Sequence, residues 1–122
     1  MTKLALDAKS LTDLAIKGLQ DLKGKNIVRM DLREVDGAIT DYFVICTGTS
    51  DRHVSSLAES VMDVIREEGS EKPINKEGLT AGEWVLLDYV NVVVHVFQKD
   101  TRDFYRLEAL WGDANMDKIE DL

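Results

Sequence analysis

Tyr42-Phe43-Val44-Ile45-Cys46-Thr47-Gly48-Thr49-Ser50-Asp51 runs from a continuous apolar stretch into a tight polar turn. The first five residues are of β type with no polar alternation, which predicts a strand buried on both faces and central in its sheet. Ser50 or Asp51 can then accept from the free N–H groups that open a helix. The helix follows at once. Val54, Leu57, Ala58, Val61, Val64 and Ile65 fall on one stripe, with Glu59, Asp63 and Glu67 off it, and Gly69 ends it. A buried strand turning directly into an amphipathic helix predicts an α/β domain.

On the N-terminal side, residues 3–22 predict a helix, with Leu11, Leu14, Ala15, Gly18 and Leu22 at three- and four-residue steps; Ser10 is a candidate cap and Gly24 a candidate stop. Val28, Met30 and Leu32 alternate with polar residues and predict a strand over 26–32. On the C-terminal side, residues 70–82 form a polar connection around the only proline, Pro73, in which Ile74 could begin a short strand. Residues 83–98 predict a hairpin around Val90-Asn91. Valine is unsuited to the positive φ of a two-residue hairpin turn, so an irregular turn or a longer loop is expected. A last helix is expected from a Thr101 cap, with Phe104, Leu107 and Leu110 or Trp111 facing inward and Gly112 as its stop. The element order is then α-β-β-α-β-β-α, a single α/β (mixed α+β) domain with a mixed sheet of four or five strands and helices packed on it. Residues 1–112 form that domain, and the acidic tail 113–122 is expected to fray.

With 122 residues the chain is one domain long. It has no apolar run approaching the ~20 residues of a membrane helix. The N-terminus lacks a signal-peptide core and is too acidic for a transit peptide, and a cytoplasmic location is expected. One cysteine excludes an internal disulfide and a cysteine-based zinc site. The net charge of −8 is uneven: −1 over residues 1–61 and −7 over 62–122. An acidic surface disfavours sequence-specific or general nucleic-acid binding and favours a basic partner.

The hairpin carries the most specific inference about a site. Pairing 87 with 94, 86 with 95 and 84 with 97 puts Val85, Leu87, Tyr89, Val92, Val94 and Val96 on one face, which is core. The other face holds Trp84, Leu86, Asp88, Val93, His95 and Phe97. A buried face rarely carries an unpaired Asp, so this face is either a partly open interaction patch or is covered by a helix, with Asp88 at the wet strand end. Other chemistry is poorly supported. His53 and His95 have no metal-ligand spacing, and no metal or cofactor is expected. Cys46 inside an apolar strand is expected to be an inert buried thiol. The Gly48-Thr49-Ser50 turn lacks the lysine of a P-loop. It is similar to the turn of nucleotidyltransferase folds, but only Asp41 and Asp88 are near strand ends to hold Mg²⁺, and no close carboxylate pair exists.

Three blocks also carry a family resemblance: Ile39-Thr40-Asp41-Tyr42-Phe43-Val44-Ile45-Cys46-Thr47-Gly48-Thr49-Ser50 with Arg52-His53-Val54; Glu83-Trp84-Val85-Leu86-Leu87-Asp88-Tyr89 with Val92-Val93-Val94-His95-Val96-Phe97; and Phe104-Tyr105-Arg106-Leu107-Glu108-Ala109-Leu110-Trp111-Gly112. In this order they resemble the Iojap family, the ribosomal silencing factors, over about residues 4–112. The resemblance implies a nucleotidyltransferase-like fold without catalysis. It implies binding to the large ribosomal subunit through its ribosomal protein number fourteen. It further implies a steric block to small-subunit joining that represses translation in starvation or stationary phase. It puts partner contacts at Trp84, Asp88 and Tyr89; the face argument adds Leu86 and His95. Alternation sets Tyr89 on the opposite face, so contact there requires it to curl to the rim. Val90-Asn91 departs from the glycine turn common in the family. Two further readings stay open: a metal-dependent nucleotidyl- or phosphotransferase using the Gly48 turn, Asp41 and Asp88, and a homodimeric scaffold in which the hairpin face meets its own copy.

Overall fold

A computed structural model describes residues 6–122. Its elements are α1 (Ala8–Asp21), β1 (Lys25–Asp31), β2 (Tyr42–Gly48), α2 (Asp51–Val64), β3 (Asn75–Glu77), β4 (Trp84–Asp88), β5 (Val92–Gln98), α3 (Lys99–Tyr105), α4 (Leu107–Leu110) and β6 (Asn115–Lys118). They build one mixed sheet of six strands in the order β3-β4-β5-β2-β1-β6. The class is the one expected; β3 is the short strand expected next to Ile74, and β6 is one strand more than the four or five expected.

β2 is central, as its apolar run requires. Every residue from Tyr42 to Gly48 is buried. It pairs in parallel with β5, from Tyr42 opposite Val92 to Gly48 opposite Gln98, and antiparallel with β1 on its other side. The sheet therefore has two inner faces. Val44, Cys46, Val85, Leu87, Val94 and Val96 meet α1 and α2 in one core. Met30, Phe43, Ile45, Val93 and Phe97 form a second core on the opposite face. The two helices of the first face cross closely at Gly18, where an added Cβ would lie 2.8 Å from the Val61 Cα and 3.0 Å from the Ser60 carbonyl oxygen.

The helix starts follow capping chemistry. Ser50 Oγ accepts from the His53 N–H at 3.0 Å. α1 is capped by Asp7, which accepts from the Ser10 N–H at 2.7 Å, and not by Ser10 itself. Residues 3–5 of the expected helix lie outside the described residues. α2 widens into a single π turn over Ile65–Gly69 before the chain leaves it.

Three expectations are corrected. The acidic segment 113–122 supplies β6, which covers the open edge of β1 from Val28 to Asp31. Arg29 bonds Asp117 at 2.7 Å and Asp13 at 2.6 Å, joining this strand to α1, and the Asn26 N–H donates to Asp121. Backbone pairing and ion pairs thus order a segment with little apolar periodicity. The single last helix is in fact two. Arg106 takes φ +49 and breaks it, no side chain caps its start at Gln98, and Phe104 and Leu110 face solvent at 80% and 72% exposure. Leu107 and Trp111 pack against the second core as expected. Finally, of the two alternatives expected for the hairpin, the longer loop is corrected and the irregular turn is the one found, with two residues linking the strands. Val90 accepts φ +76, and the Asn91 N–H closes a three-residue γ-turn on the Tyr89 carbonyl at 3.0 Å. A β-branched residue in that region is strained by about 1–3 kcal/mol.

In an exposed helix, Gly→Ala stabilises by about 1 kcal/mol. At Gly18 the neighbours are backbone atoms that cannot yield. Gly18→Ala is expected to destabilise by about 1–3 kcal/mol, read as a lower urea midpoint with an unchanged slope.

Candidate functional site

The observed hairpin register is the expected one: Trp84 opposite Phe97, Leu86 opposite His95, Leu87 opposite Val94. β4 therefore alternates cleanly. Val85 and Leu87 are buried toward α1 and α2, whereas Trp84, Leu86 and Asp88 are half-buried on the other face. Among the described residues no long helix covers that face. Tyr105 of α3, Leu107 of α4 and loop residues such as Val35 and Ala38 lie against it. β3 extends the face with Glu77 opposite Leu86 and Asn75 opposite Asp88, adding a second carboxylate to its rim.

Aromatic rings dominate this surface. Trp84 stacks on Phe97 with centroids 4.9 Å apart, and Tyr105 of α3 leans on Trp84 at 4.7 Å. Phe104 meets Tyr105 edge-on at 5.1 Å and projects into solvent. α3 is held in place by Arg102, whose side chain is 10% exposed and donates to the Asn26 carbonyl and to Thr47 Oγ1 at 2.7 and 2.8 Å. The exposed Phe104 and Tyr105 escaped sequence reasoning. Their spacing matches an inward helical face, and nothing in the residue types announces a break at Arg106.

His95 lies beneath Trp84 at 4% exposure. Its Nδ1 is 3.0 Å from the Trp84 indole nitrogen and accepts that N–H, so the proton of the neutral ring sits on Nε2. Nε2 has no partner, and the Phe43 ring stands edge-on at 4.7 Å. Burial pushes the imidazole down to about 4. His95 thus fixes the indole from below and does not itself reach the surface.

Tyr89 takes the position that alternation predicts. It is 7% exposed, packs in the first core and does not curl to the rim. Burial, and next the Glu71 charge, push its phenol up, and its hydroxyl has no partner. Trp84, Leu86 and Asp88 are brought together on one open face; His95 lies under them and Tyr89 behind them.

Comparison with known proteins agrees with this architecture. The profile of the family described as "Ribosomal silencing factor during starvation" matches residues 5–122. The chain belongs to that family. It is 36% identical over 115 residues to ribosomal silencing factor RsfS of Bacillus subtilis, covering 94% of this chain and 96% of that one. It is 35% identical over 80 residues to mouse "Mitochondrial assembly of ribosomal large subunit protein 1", covering 64% of this chain and 35% of that one. A crystal structure from Chromobacterium violaceum superposes with TM-score 0.82 at 39% identity, covering 88% of each chain. The Bacillus subtilis relative is named as a ribosomal silencing factor.

In this silencing-factor chain the Gly48 turn is closed by its own side chains. The Thr49 N–H donates to His53 Nδ1 at 2.9 Å, the Arg52 N–H to Asp51 and the His53 N–H to Ser50. His53 Nε2 in turn donates to the Leu22 carbonyl at 2.7 Å, linking the start of α2 to the end of α1. Gly48 is required by packing, since a Cβ would meet the Val54 side chain at 2.7 Å. Asp41 and Asp88 sit beside the N-terminal ends of the parallel pair, and the turn is at the other end of the seven-residue β2, ~20 Å away at the usual rise. The transferase arrangement is therefore not assembled. Among the described residues no cluster of three or more His, Cys, Asp or Glu could hold a metal ion. Burial raises the Cys46 thiol to about 12, consistent with an inert core residue.

The depressed His95 value has a signed consequence. In the unfolded chain the imidazole titrates near 6.5. Stability from this residue is complete above that pH and is lost as pH falls toward 4, by about 3 kcal/mol in all. His95→Gln, which retains an acceptor for the indole N–H, is expected to lose about 2 kcal/mol less than the parent between pH 7 and 4.5. Urea titrations at the two pH values check this.

Proposed function

We propose that this chain docks on the large ribosomal subunit through the open aromatic face of β4 and β5. The proposed contact is the basic ribosomal protein number fourteen. The domain's bulk then blocks small-subunit joining and represses translation in starvation or stationary phase. The observation that carries this reading is a half-buried tryptophan on the sheet face that, among the described residues, no long helix covers, rimmed by Glu77 and Asp88. An aromatic anchor inside an acidic rim suits a basic protein surface, and the net charge of −8 favours the encounter.

The roles divide by position. Trp84 is the anchor, with Leu86 beside it and Asp88 as the charged contact. His95 holds the indole at the angle it presents, and Tyr89 backs the strand from the core. No bond is made or broken, and no metal or cofactor takes part. A contact of about 800 Å² per partner is sufficient for specific docking. The setting proposed is the cytoplasm; among the described residues no helix is long and apolar enough to cross a membrane.

Co-sedimentation with free large subunits, free small subunits and joined ribosomes tests this reading. Selective pelleting with large subunits is expected. Trp84→Ala should weaken it by about 2 kcal/mol or more, roughly 30-fold. Parental affinity in a folded Trp84→Ala protein removes the residue from the site, and absence of pelleting by folded protein at micromolar concentration overturns the docking reading. Because the rim is charged, affinity is expected to fall as salt rises from 50 to 300 mM.

A further inference from the structure

The strain at Val90 has no explanation in the packing. Its side chain is 55% exposed, and at φ +76 a glycine would stand without steric conflict. The surrounding bonds hold the turn against that strain. The Val90 N–H donates to Asp88 Oδ1 at 2.8 Å, and Thr40 Oγ1 donates to the Val90 carbonyl at 3.0 Å. The Asn91 carbonyl accepts from the N–H groups of both Asp41 and Tyr42 at 3.1 Å. A conformation over-determined in this way, yet displaying an apolar side chain to water, points to a use for that side chain.

Position suggests the use. Trp84, Leu86 and Asp88 share one face of β4, and Val90 stands in the turn two residues beyond the Asp88 end of that strand. The Thr40 and Asp41 bonds bring the preceding Ile39, 89% exposed, to the same tip. Asp41 and Asp88, at this tip, make no ion pair among the described residues.

We propose that Val90 and Ile39 form a second apolar contact at the hairpin tip, and that the same basic partner seats aliphatic side chains against them while its cations meet Asp88 and Asp41. This rests on the docking reading above and extends its footprint from the Trp84 end to the full length of β4. The strained turn serves to present Val90 rigidly.

The test compares the parent, Trp84→Ala, Val90→Gly and Ile39→Ser for thermal stability and for affinity to purified large ribosomal subunits. Val90→Gly relieves the strain while removing the contact. It is expected to melt no lower than the parent and to bind about five- to tenfold more weakly. Ile39→Ser, at an exposed site, is expected to keep its melting temperature and to bind more weakly as well. If Trp84→Ala weakens binding and both tip variants bind within twofold of the parent, the tip contact is overturned and the docking face stands. If Trp84→Ala also binds like the parent, the docking face falls and this inference with it. If Val90→Gly binds more weakly but also melts lower, Ile39→Ser decides, and parental affinity there overturns the proposal. A changed oligomeric state of free Ile39→Ser protein with unchanged subunit affinity assigns the tip to a second copy and likewise overturns it.

Discussion

Everything in this domain depends on the parallel pairing of β2 with β5. All of β2 and all of β5 but its last residue are buried, so a parallel pair of this kind needs cover on both sides. The chain supplies that cover unequally. One face receives two helices of 14 residues. The other receives helices of seven and four residues and a few loop side chains. The second face is therefore closed over β1 and β2 and thins out over β4, where Trp84 and Leu86 stay half-exposed. The candidate site is a consequence of that shortage, at the place where the cover ends.

A buried polar pair then sets how the exposed part of the site is presented. The indole of Trp84 could lie at several angles on an apolar sheet. Its bond to His95 Nδ1 and its stack on Phe97 select one. The selection carries a penalty, since His95 Nε2 is left without a partner in an apolar surround. A side chain already fixed before binding loses less rotamer freedom on docking, so on the docking reading a buried histidine affects what the surface binds.

Legibility in the sequence followed the range of the interactions. β2, α2 and the hairpin register were readable because burial there depends on period alone, and one face of a hairpin determines the other. The same alternation correctly placed Tyr89 with the core; only the family resemblance put it among the contacts. β6 was not readable, because Met116 and Ile119 are too few to show a period and the strand is held by backbone pairing to β1 and by Arg29. The split between α3 and α4 was hidden in a similar way: Arg102 anchors α3 through a carbonyl and a hydroxyl on β1 and β2, contacts distant in sequence. At Val90 the irregular turn was readable but its positive φ was not. Its intrinsic preference opposes the turn, but bonds from Thr40, Asp41, Tyr42 and Asp88 outweigh it.

The two ends of the central strands differ in what they leave available. At the C-terminal end of β2, where open α/β sheets usually hold their ligands, His53 takes the Thr49 N–H, Ser50 and Asp51 take the first N–H groups of α2, and Val54 fills the space beside Gly48. At the opposite end and along β4, side chains have unused capacity: carboxylates without ion pairs, rings exposed on one side, and a strained valine in water. A surface of that kind gains more from a second surface than from a small molecule, because its groups are spread along a strand and do not converge on a point. On the docking reading proposed above, this distribution is what a partner surface laid along β4 would use.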